Sequence, residues 1–455
     1  MSAAVLSLST KKIAAAAAAA EALRERGFAL ERGAAGEIVV VAAGEDLPPR
    51  RLTINPVRAA MLAASPEDSA LLLHVHGIPI LPERLPKGVV RPASQPDPAA
   101  LTPLRVHVGD LRVLAVESDT SLPQLSRLRE QRMMEAACRS VYSLGLHFGC
   151  VHLYASRSGR FYIDRVDPYP AVGPDLARAY ASSIAQLVTA WSAPSTQPED
   201  EVVLGADPEF ALFSRDGRIL YASTYVKHRG TVGYDRQSRA NRGSVFPLVE
   251  VRPNPSPSPF ALFAGTEKAL AAARRVLPHR GVLWTAGSCP FNRYPTGGHI
   301  HFSGLTLSTP LLAALDNYLA IPTMLLEQRS RARRRRQKYG RLGDFRRKEH
   351  GGFEYRTVAS WLVSPQATLA ALCLAKVVAT HWRRLPASAI ADARVALDFY
   401  RGRKARFRQI FPQLWRTLMQ TETAASYAYE LNYIARSIER GAEWQDESDF
   451  KQNWW

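Results

Sequence analysis

Four short segments of the sequence each place two ionisable residues on one face of a strand and apolar residues on the other. Residues two apart in a strand share a face, because successive side chains alternate. The segments are GADPEF with Asp207 and Glu209, VEVRPNP with Glu250 and Arg252, GGHIHFSG with His299 and His301, and GFEYRTV with Glu354 and Arg356. If these strands share one sheet, one face of that sheet is a charged site and the other packs on helices.

An amphipathic strand with a solvated face explains any one of these pairs. It explains four pairs less well, because solvated strand faces favour Thr, Ser and Lys over Glu, His and Arg beside glycines and apolar residues. For His299 and His301 alone, hydrogen-bonded sheet histidines are an equally good explanation. Taken together, the four segments favour a functional site.

The carboxylates of this face would repel one another, and its two arginines offset only part of that charge. Clustered oxygen ligands suit Mg²⁺ or Mn²⁺, which also bridge nucleotide phosphates. His301 would add a nitrogen ligand. The pattern therefore predicts a divalent-cation site.

A dense basic segment precedes the last strand. Residues 329–349 hold eleven Lys or Arg and two acidic residues. This segment is suited to phosphate binding in phosphoryl transfer, with a solvated helix face or a nucleic-acid patch as alternatives. Lys338, Arg341 and Arg346 lie where glycines break the helix, so they are the better phosphate candidates. The run at residues 333–336 is expected to be solvated, and alanine at Arg334 and Arg335 to have small effects.

Composition limits the class of protein. The formal net charge of +18 implies a phosphate-bearing or acidic partner, or only a solvated basic surface. The four cysteines form no CxxC pair, so neither structural zinc nor a disulfide framework is expected. The alanine run at residues 14–20 continues into a charged helix, and no segment reaches membrane-spanning length. We expect a cytoplasmic protein without a membrane contact.

The chain is long enough for two or three domains. Residues 192–201, SAPSTQPEDE, are predicted to be a linker. They would separate an N-terminal α/β domain at 1–191 from a catalytic domain at 202–385 and a helical extension at 386–455. Helices are expected at residues 10–31, 55–80, 308–330, 365–384, 386–419 and 422–441.

The four motifs, with GDFRRKEHGGFEYRTVASWLVSP, resemble the phage-type COOH–NH2 ligases of the glutamine synthetase and glutamate–cysteine ligase superfamily. The resemblance covers residues 202–376. It implies an α+β fold with a curved antiparallel sheet backed by helices. It also implies ATP-dependent amide formation with Mg²⁺ or Mn²⁺, in which a carboxylate becomes an acyl phosphate that an amine attacks.

The resemblance also implies roles for residues of these motifs. Glu209, Glu250 and Glu354 would be metal ligands, with His301 a fourth. Arg356 and Arg252 would contact phosphate or the substrate carboxylate. Asp207 would support the first metal or receive a proton from the amine. His299 is grouped with Lys338, Arg341 and Arg346 as nucleotide-contacting residues.

The N-terminal part more weakly resembles an ATP-grasp domain, through SPEDSALLLHVHGIPILP and LGLHFGCVHLYASRSGRFYIDRVDPYP. The magnesium positions of such a domain would be His152, Asp164 and Asp167. The stretch between the two landmarks is short, so we expect a truncated domain with weakened ATP chemistry that binds substrate or supports the ligase. An unrelated α/β domain is a nearly equal alternative.

The predicted function is a carboxylate–amine ligase that uses ATP, Mg²⁺ or Mn²⁺, and small-molecule or peptide carboxylates and amines. One alternative is a phosphotransferase on the same fold. Another is a non-catalytic nucleic-acid-binding protein that uses the basic segment, although a nucleic-acid partner is not expected. A homo-oligomer is compatible with the superfamily.

Overall fold

The computed structural model describes residues 13–32, 37–42, 49–89, 101–120, 125–193, 201–235, 245–349 and 351–455. Residues 194–200 of the predicted linker lie outside the described residues. The chain divides into two compact units. The first comprises Met1–Ser195, Ser308–Pro310 and Ser388–Leu397, and the second comprises Thr196–Leu307, Leu311–Ala387 and Asp398–Trp455.

The first unit contains antiparallel sheets and five helices within its described residues. Its strands are β1 (Ile13–Ala14), β2 (Ala29–Arg32), β3 (Ile38–Ala42), β4 (Arg50–Ile54), β5 (Leu101–Gly109), β6 (Arg112–Glu117), β7 (Phe148–Ser156), β8 (Phe161–Asp167) and β9 (Ala171–Val172). Its helices are α1 (Ala15–Glu25), α2 (Val57–Ala64), α3 (Pro66–Val75), α4 (Arg127–Ser143) and α5 (Pro174–Ser192). The sheet orders are β1-β9, β2-β3-β4 and β6-β5-β7-β8.

Two predicted helices of this unit are shorter in the structure. The helix expected over residues 10–31 ends at Glu25, because Gly27 adopts a left-handed φ of 78° and the chain turns into β2. The helix expected over residues 55–80 is split between α2 and α3 at Pro66, whose ring cannot continue a preceding helix.

The second unit contains two antiparallel sheets. Its strands are β10 (Val203–Ala206), β11 (Glu209–Ser214), β12 (Ile219–Leu220), β13 (Val232–Tyr234), β14 (Leu248–Val251), β15 (Val282–Thr285), β16 (Ile300–Ser303), β17 (Phe345–Arg347) and β18 (Phe353–Tyr355). One sheet has the order β10-β16-β18-β17, and the other has the order β12-β11-β14-β13 with β15 on β11.

The condition that the four polar strands share one sheet is therefore not met. Strands β11 and β14 belong to one sheet, and β16 and β18 belong to the other. The chain passes between the two sheets at Asp207 and Pro208. Proline has no backbone N–H to donate, which favours an interruption of the ladder at this point.

Helices make up most of the sequence after residue 308. They are preceded by α6 (Pro259–Val276) and comprise α7 (Thr309–Leu315), a π-helix (Asp316–Ala320), α8 (Ile321–Leu326), α9 (Arg329–Lys338), α10 (Pro365–His381), α11 (Ala393–Tyr400), α12 (Ala405–Met419), α13 (Glu422–Ser426), α14 (Ala428–Glu439) and α15 (Lys451–Trp454). The helix expected over 386–419 begins at Ala393 and is interrupted before α12, where Gly402 has a φ of 63°. The stretch Thr309–Leu326 is long and apolar enough to cross a membrane, but 89% of it is buried inside the fold, as in a core helix.

The Arg-rich helix α9 is only partly solvated. Arg333 and Arg334 are exposed, as expected, whereas Arg335 is 0% and Arg336 2% exposed. The expectation that residues 333–336 are solvated is therefore wrong for Arg335 and Arg336. Arg336 forms a buried ion pair with Glu327 at 2.7 Å, so its charge is neutralised locally.

Arg335 is buried because its guanidinium donates to four backbone carbonyls. It donates to the carbonyl oxygens of Thr296 at 2.9 Å, Thr357 at 2.7 Å, Val358 at 2.6 Å and Arg356 at 3.3 Å. The five N–H donors of a guanidinium can serve several acceptors at once. Arg335 thus links the segment before β16 to the segment after β18.

The C-terminal segment, which belongs to the second unit, packs against other parts of that unit. Asp446 is fully buried and accepts hydrogen bonds from the backbone N–H groups of Ser288 at 2.7 Å and Cys289 at 2.9 Å. Trp454 Nε1 donates to the carbonyl oxygen of Leu362 at 2.9 Å. These contacts fix the loops that lead to β16 and α10.

Candidate active site

A row of polar residues crosses the sheet β10-β16-β18-β17. His301 on β16 lies opposite Glu354 on β18, which lies opposite Arg346 on β17. Gly205 on β10 lies opposite His301, and a Cβ atom there would stand 3.3 Å from the His301 Cβ. The small residue at this position leaves room for the histidine. The apolar side chains between these polar positions are buried, as the alternation predicts.

Asp207 lies where the chain crosses from one sheet to the other, and it contacts two histidines. One carboxylate oxygen lies 3.1 Å from His299 Nδ1, and the other lies 3.1 Å from His301 Nε2. His299 Nδ1 also lies 3.4 Å from Glu354 Oε1. One ligand atom from each of Asp207, His299 and Glu354 lies within 4.8 Å of the others, which is close enough to share one metal ion.

The chemistry of these donors fits a divalent cation. His301 Nε2 is buried and lies 3.1 Å from a carboxylate oxygen of Asp207, which is itself one of the clustered donors. Carboxylate oxygens and imidazole nitrogens are ligands that Mn²⁺ accepts, and Mg²⁺ prefers the oxygens.

Glu209 and Glu250 form a second acidic pair in the other sheet. They lie directly opposite each other on β11 and β14, and both are buried. Burial, followed by the charges of Asp235 and Glu250, raises the pKa of Glu209 well above its usual value. Burial and the charge of Asp207 raise the pKa of Glu250 to about 9. Because both pKa values are raised, these carboxyl groups favour the protonated form. A bound metal ion would stabilise their ionised form.

Asp207 and Glu354 show the opposite behaviour. Burial alone would raise both pKa values, but hydrogen bonds from His299 and His301 hold the pKa of Asp207 well below its usual value. Against burial, His299 and the nearby guanidinium groups lower the pKa of Glu354 to about 2. These two carboxylates are ionised at neutral pH.

Three basic side chains surround Glu354. Lys348 Nζ lies 2.6 Å from Oε2, Arg346 Nη1 lies 3.4 Å from the same oxygen, and Arg356 Nε lies 3.1 Å from Oε1. Arg252 pairs in the same way with Glu250 in the other sheet. Each sheet therefore presents a carboxylate beside at least one cation, an arrangement suited to a ligand that carries phosphate and metal together.

His299 is engaged at both ring nitrogens. Its Nδ1 contacts Asp207, and its Nε2 accepts from or donates to the hydroxyl of Tyr339 at short range. The Arg356 guanidinium lies 4.8 Å above the Tyr339 ring. This geometry suits His299 to orienting Asp207, and its predicted contact with nucleotide stays a prediction.

Two residues of the cluster were missed in the sequence, Tyr339 and Lys348. In the sequence, Lys348 is one of several neighbouring basic residues and does not stand out. Its position in the turn between two short strands, just before Glu354, could have indicated that the two side chains are close. Of the predicted phosphate contacts, Arg346 lies in the cluster. Lys338 is exposed and forms no ion pair among the described residues, and Arg341 donates to the carbonyl oxygen of Gln337 at 3.2 Å.

The first unit contains His152, Asp164 and Asp167, the positions that the ATP-grasp resemblance implies as magnesium ligands. Asp164 lies 2.6 Å from Arg84 and 3.2 Å from Arg165. Asp167 accepts a hydrogen bond from the backbone of Tyr169 at 2.9 Å. The predicted roles of these positions as magnesium ligands, and the expected weakening of ATP chemistry in this unit, stay predictions.

Comparison with known proteins gives one family. Residues 204–455 match the family model described as Phage phiEco32-like COOH.NH2 ligase-type 2, which extends beyond the 202–376 stretch of the motifs. No curated protein matches the chain. Among solved structures, a bifunctional glutathione synthetase from Pasteurella multocida is similar at 10% identity and a TM-score of 0.33, over 56% of this chain and 51% of that one. The likeness spans only about half of that structure's length, and at this TM-score it carries no argument. The family match covers more than half of the 455 residues, so the chain belongs to the Phage phiEco32-like COOH.NH2 ligase-type 2 family, a family of carboxylate–amine ligases.

Proposed function

We propose that this protein is an ATP- and Mg²⁺-dependent carboxylate–amine ligase that works through an acyl phosphate. We include in the proposal a glutamine synthetase-like fold for the second unit and a cytoplasmic location. The observation that carries the proposal is the position of Asp207, whose two carboxylate oxygens contact His299 and His301 and whose charge acts on Glu250 of the other sheet.

Glu209, Glu250, Glu354 and His301 are the residues proposed to hold Mg²⁺ or Mn²⁺, with Asp207 and His299 beside them. A divalent ion held by these residues would supply positive charge that neutralises part of the charge on the nucleotide phosphates. The support is the raised pKa of Glu209 and Glu250 and the cluster of Asp207, His299 and Glu354, whose ligand atoms lie within 4.8 Å of one another. A bound cation would favour the ionised form of these carboxyl groups.

Arg346, Lys348 and Arg356 are proposed to bind the γ-phosphoryl group and the substrate carboxylate. In the first step a carboxylate oxygen attacks the γ-phosphorus and the bond to the ADP oxygen breaks. The negative charge on the transferred group is stabilised by these basic side chains, which already lie within 3.4 Å of Glu354.

Asp207 is proposed to accept the proton that the amine loses. In the second step the amine nitrogen attacks the acyl carbon, phosphate leaves, and the nitrogen gives up a proton. Asp207 can take this role because it is ionised at neutral pH and its oxygens can accept a proton. His299, held by Tyr339, would keep the carboxylate in place.

The test is product analysis with ATP, Mg²⁺ and panels of carboxylates and amines. A ligase gives a product whose mass is the sum of the two substrates minus water, together with ADP and phosphate. Glu354→Gln is expected to abolish this product, and Glu439→Gln, an exposed glutamate at the end of α14, is the matched control. A phosphorylated product without loss of water would instead favour the phosphotransferase.

A further inference from the structure

A cationic groove lies on the second unit, apart from the cluster around Glu354. It has a volume of about 760 Å³, within the range of small-molecule sites. Its charged lining residues are Arg329, Arg331, Arg333, Arg401, Arg403 and Glu443. Five guanidinium groups would repel one another in an empty groove, so the arrangement favours a bound anion.

Most of this positive charge is not neutralised within the protein. Among the described residues, Arg329, Arg333 and Arg401 have no ion-pair partner, and all three are exposed. The carboxylate of Glu443 is itself occupied by Lys404 at 2.7 Å. Arg331 pairs with a glutamate outside the groove, but its Nε and Nη1 are buried without a hydrogen-bond partner in the described part of the chain.

The groove is held in shape by a close backbone contact between its two walls. One wall is the start of α9, and the other is the loop at residues 401–403. Gly402 has a φ of 63°, and a Cβ atom there would stand 3.0 Å from the Arg329 carbonyl oxygen. The two walls are therefore fixed at close range before any ligand binds.

We propose that this groove is a second anion-binding site, which takes a ligand with at least two phosphate groups. Arginine binds phosphate through paired N–H donors, and guanidinium groups on two walls suit phosphates at both ends of one ligand. The lining has no aromatic side chain, so the site would recognise phosphates and not stack on a base. Free polyphosphates and the backbone of a nucleic acid share this chemistry. The site goes beyond the ligase function and does not depend on it.

The test is calorimetric binding of tripolyphosphate, orthophosphate and short duplex DNA to the full chain in EDTA, where metal-dependent binding at the ligase site is removed. The groove variant is Arg329→Gln with Arg401→Gln. Its matched control is Arg334→Gln with Arg408→Gln, which removes the same charge from exposed positions on α9 and α12. Arg333→Gln is a second groove variant, and thermal denaturation checks that each protein is folded.

Saturable tripolyphosphate binding is expected, weakened about tenfold or more in the groove variants and less than about twofold in the control. Glu354→Gln should leave this binding unchanged. Duplex DNA that binds through the same arginines while tripolyphosphate does not would identify a nucleic-acid backbone as the source of the phosphates. Equal losses in groove and control variants, orthophosphate binding as tight as tripolyphosphate, or no binding of any probe would each overturn the proposal.

Discussion

Replacing Arg335 by alanine removes a buried side chain that holds two segments of the candidate site. The guanidinium donates four hydrogen bonds to backbone carbonyls, at 2.6 to 3.3 Å. Each bond from a charged donor contributes roughly 1–3 kcal/mol. The Val358 carbonyl would keep the hydrogen bond from the Gly298 backbone N–H, whereas a carbonyl left buried without a donor loses a comparable amount. Since water can enter part of the space that alanine leaves, we take about 1 kcal/mol for each bond and expect a loss of about 4 kcal/mol.

The assay is urea unfolding of the full chain, followed by tryptophan fluorescence and circular dichroism. Arg334→Ala is the matched control, since Arg334 is the exposed neighbour on the same helix. It should change the free energy of unfolding by less than about 0.5 kcal/mol. Arg335→Lys should fall between wild type and alanine, because one ammonium group cannot reach all four carbonyls. A loss below about 1 kcal/mol in Arg335→Ala, or equal losses at both positions, would refute this reasoning.

Three further predictions concern the second unit. Burial raises the pKa of Asp446 to about 7 from 3.8, so the folded state holds its proton more tightly and stability falls as pH rises through this window. Wild type should lose up to about 4 kcal/mol relative to Asp446→Asn between about pH 4 and pH 7 in urea titrations, and parallel curves would contradict the shift. Gly298→Ala should lower stability by about 2 kcal/mol, because its Cβ would lie 2.3 Å from the Ala359 carbonyl oxygen, and an unchanged unfolding midpoint would show that the backbone yields freely. Tyr339→Phe should lower ligase turnover or Mg²⁺ affinity about tenfold by releasing His299, and unchanged values of both would remove Tyr339 from the site.

The alternation of side chains predicted which residues face the site. Because strand periodicity is local, the sequence alone placed Glu354 and His301 on polar faces, and the structure pairs them directly across two strands. Alternation could not tell that the polar strands belong to two sheets. That division depends on long-range pairing, with the chain crossing between the sheets at Asp207 and Pro208.

The burial of arginines on α9 could not be predicted from the helix itself. A run of four arginines has no hydrophobic period, so the sequence offers no reason for two of them to face inward. Their position is decided by partners outside the helix, namely Glu327 for Arg336 and the carbonyls of Thr296 and Val358 for Arg335. The same holds for Tyr339, whose role appears only once His299 lies beside it.

The central claim is that Mg²⁺ and ATP bind together at the carboxylates around Glu354. The most direct measurement is the melting temperature of the full chain with Mg²⁺ and a non-hydrolysable ATP analogue, for wild type, Glu354→Gln and the control Glu439→Gln. A ligand that binds only the folded state at a hundred times its Kd adds about 2.7 kcal/mol of stability. We expect a Mg²⁺-dependent rise in melting temperature in wild type and in the control, and its loss in Glu354→Gln. A rise that persists in Glu354→Gln, or that needs no Mg²⁺, would contradict the central claim.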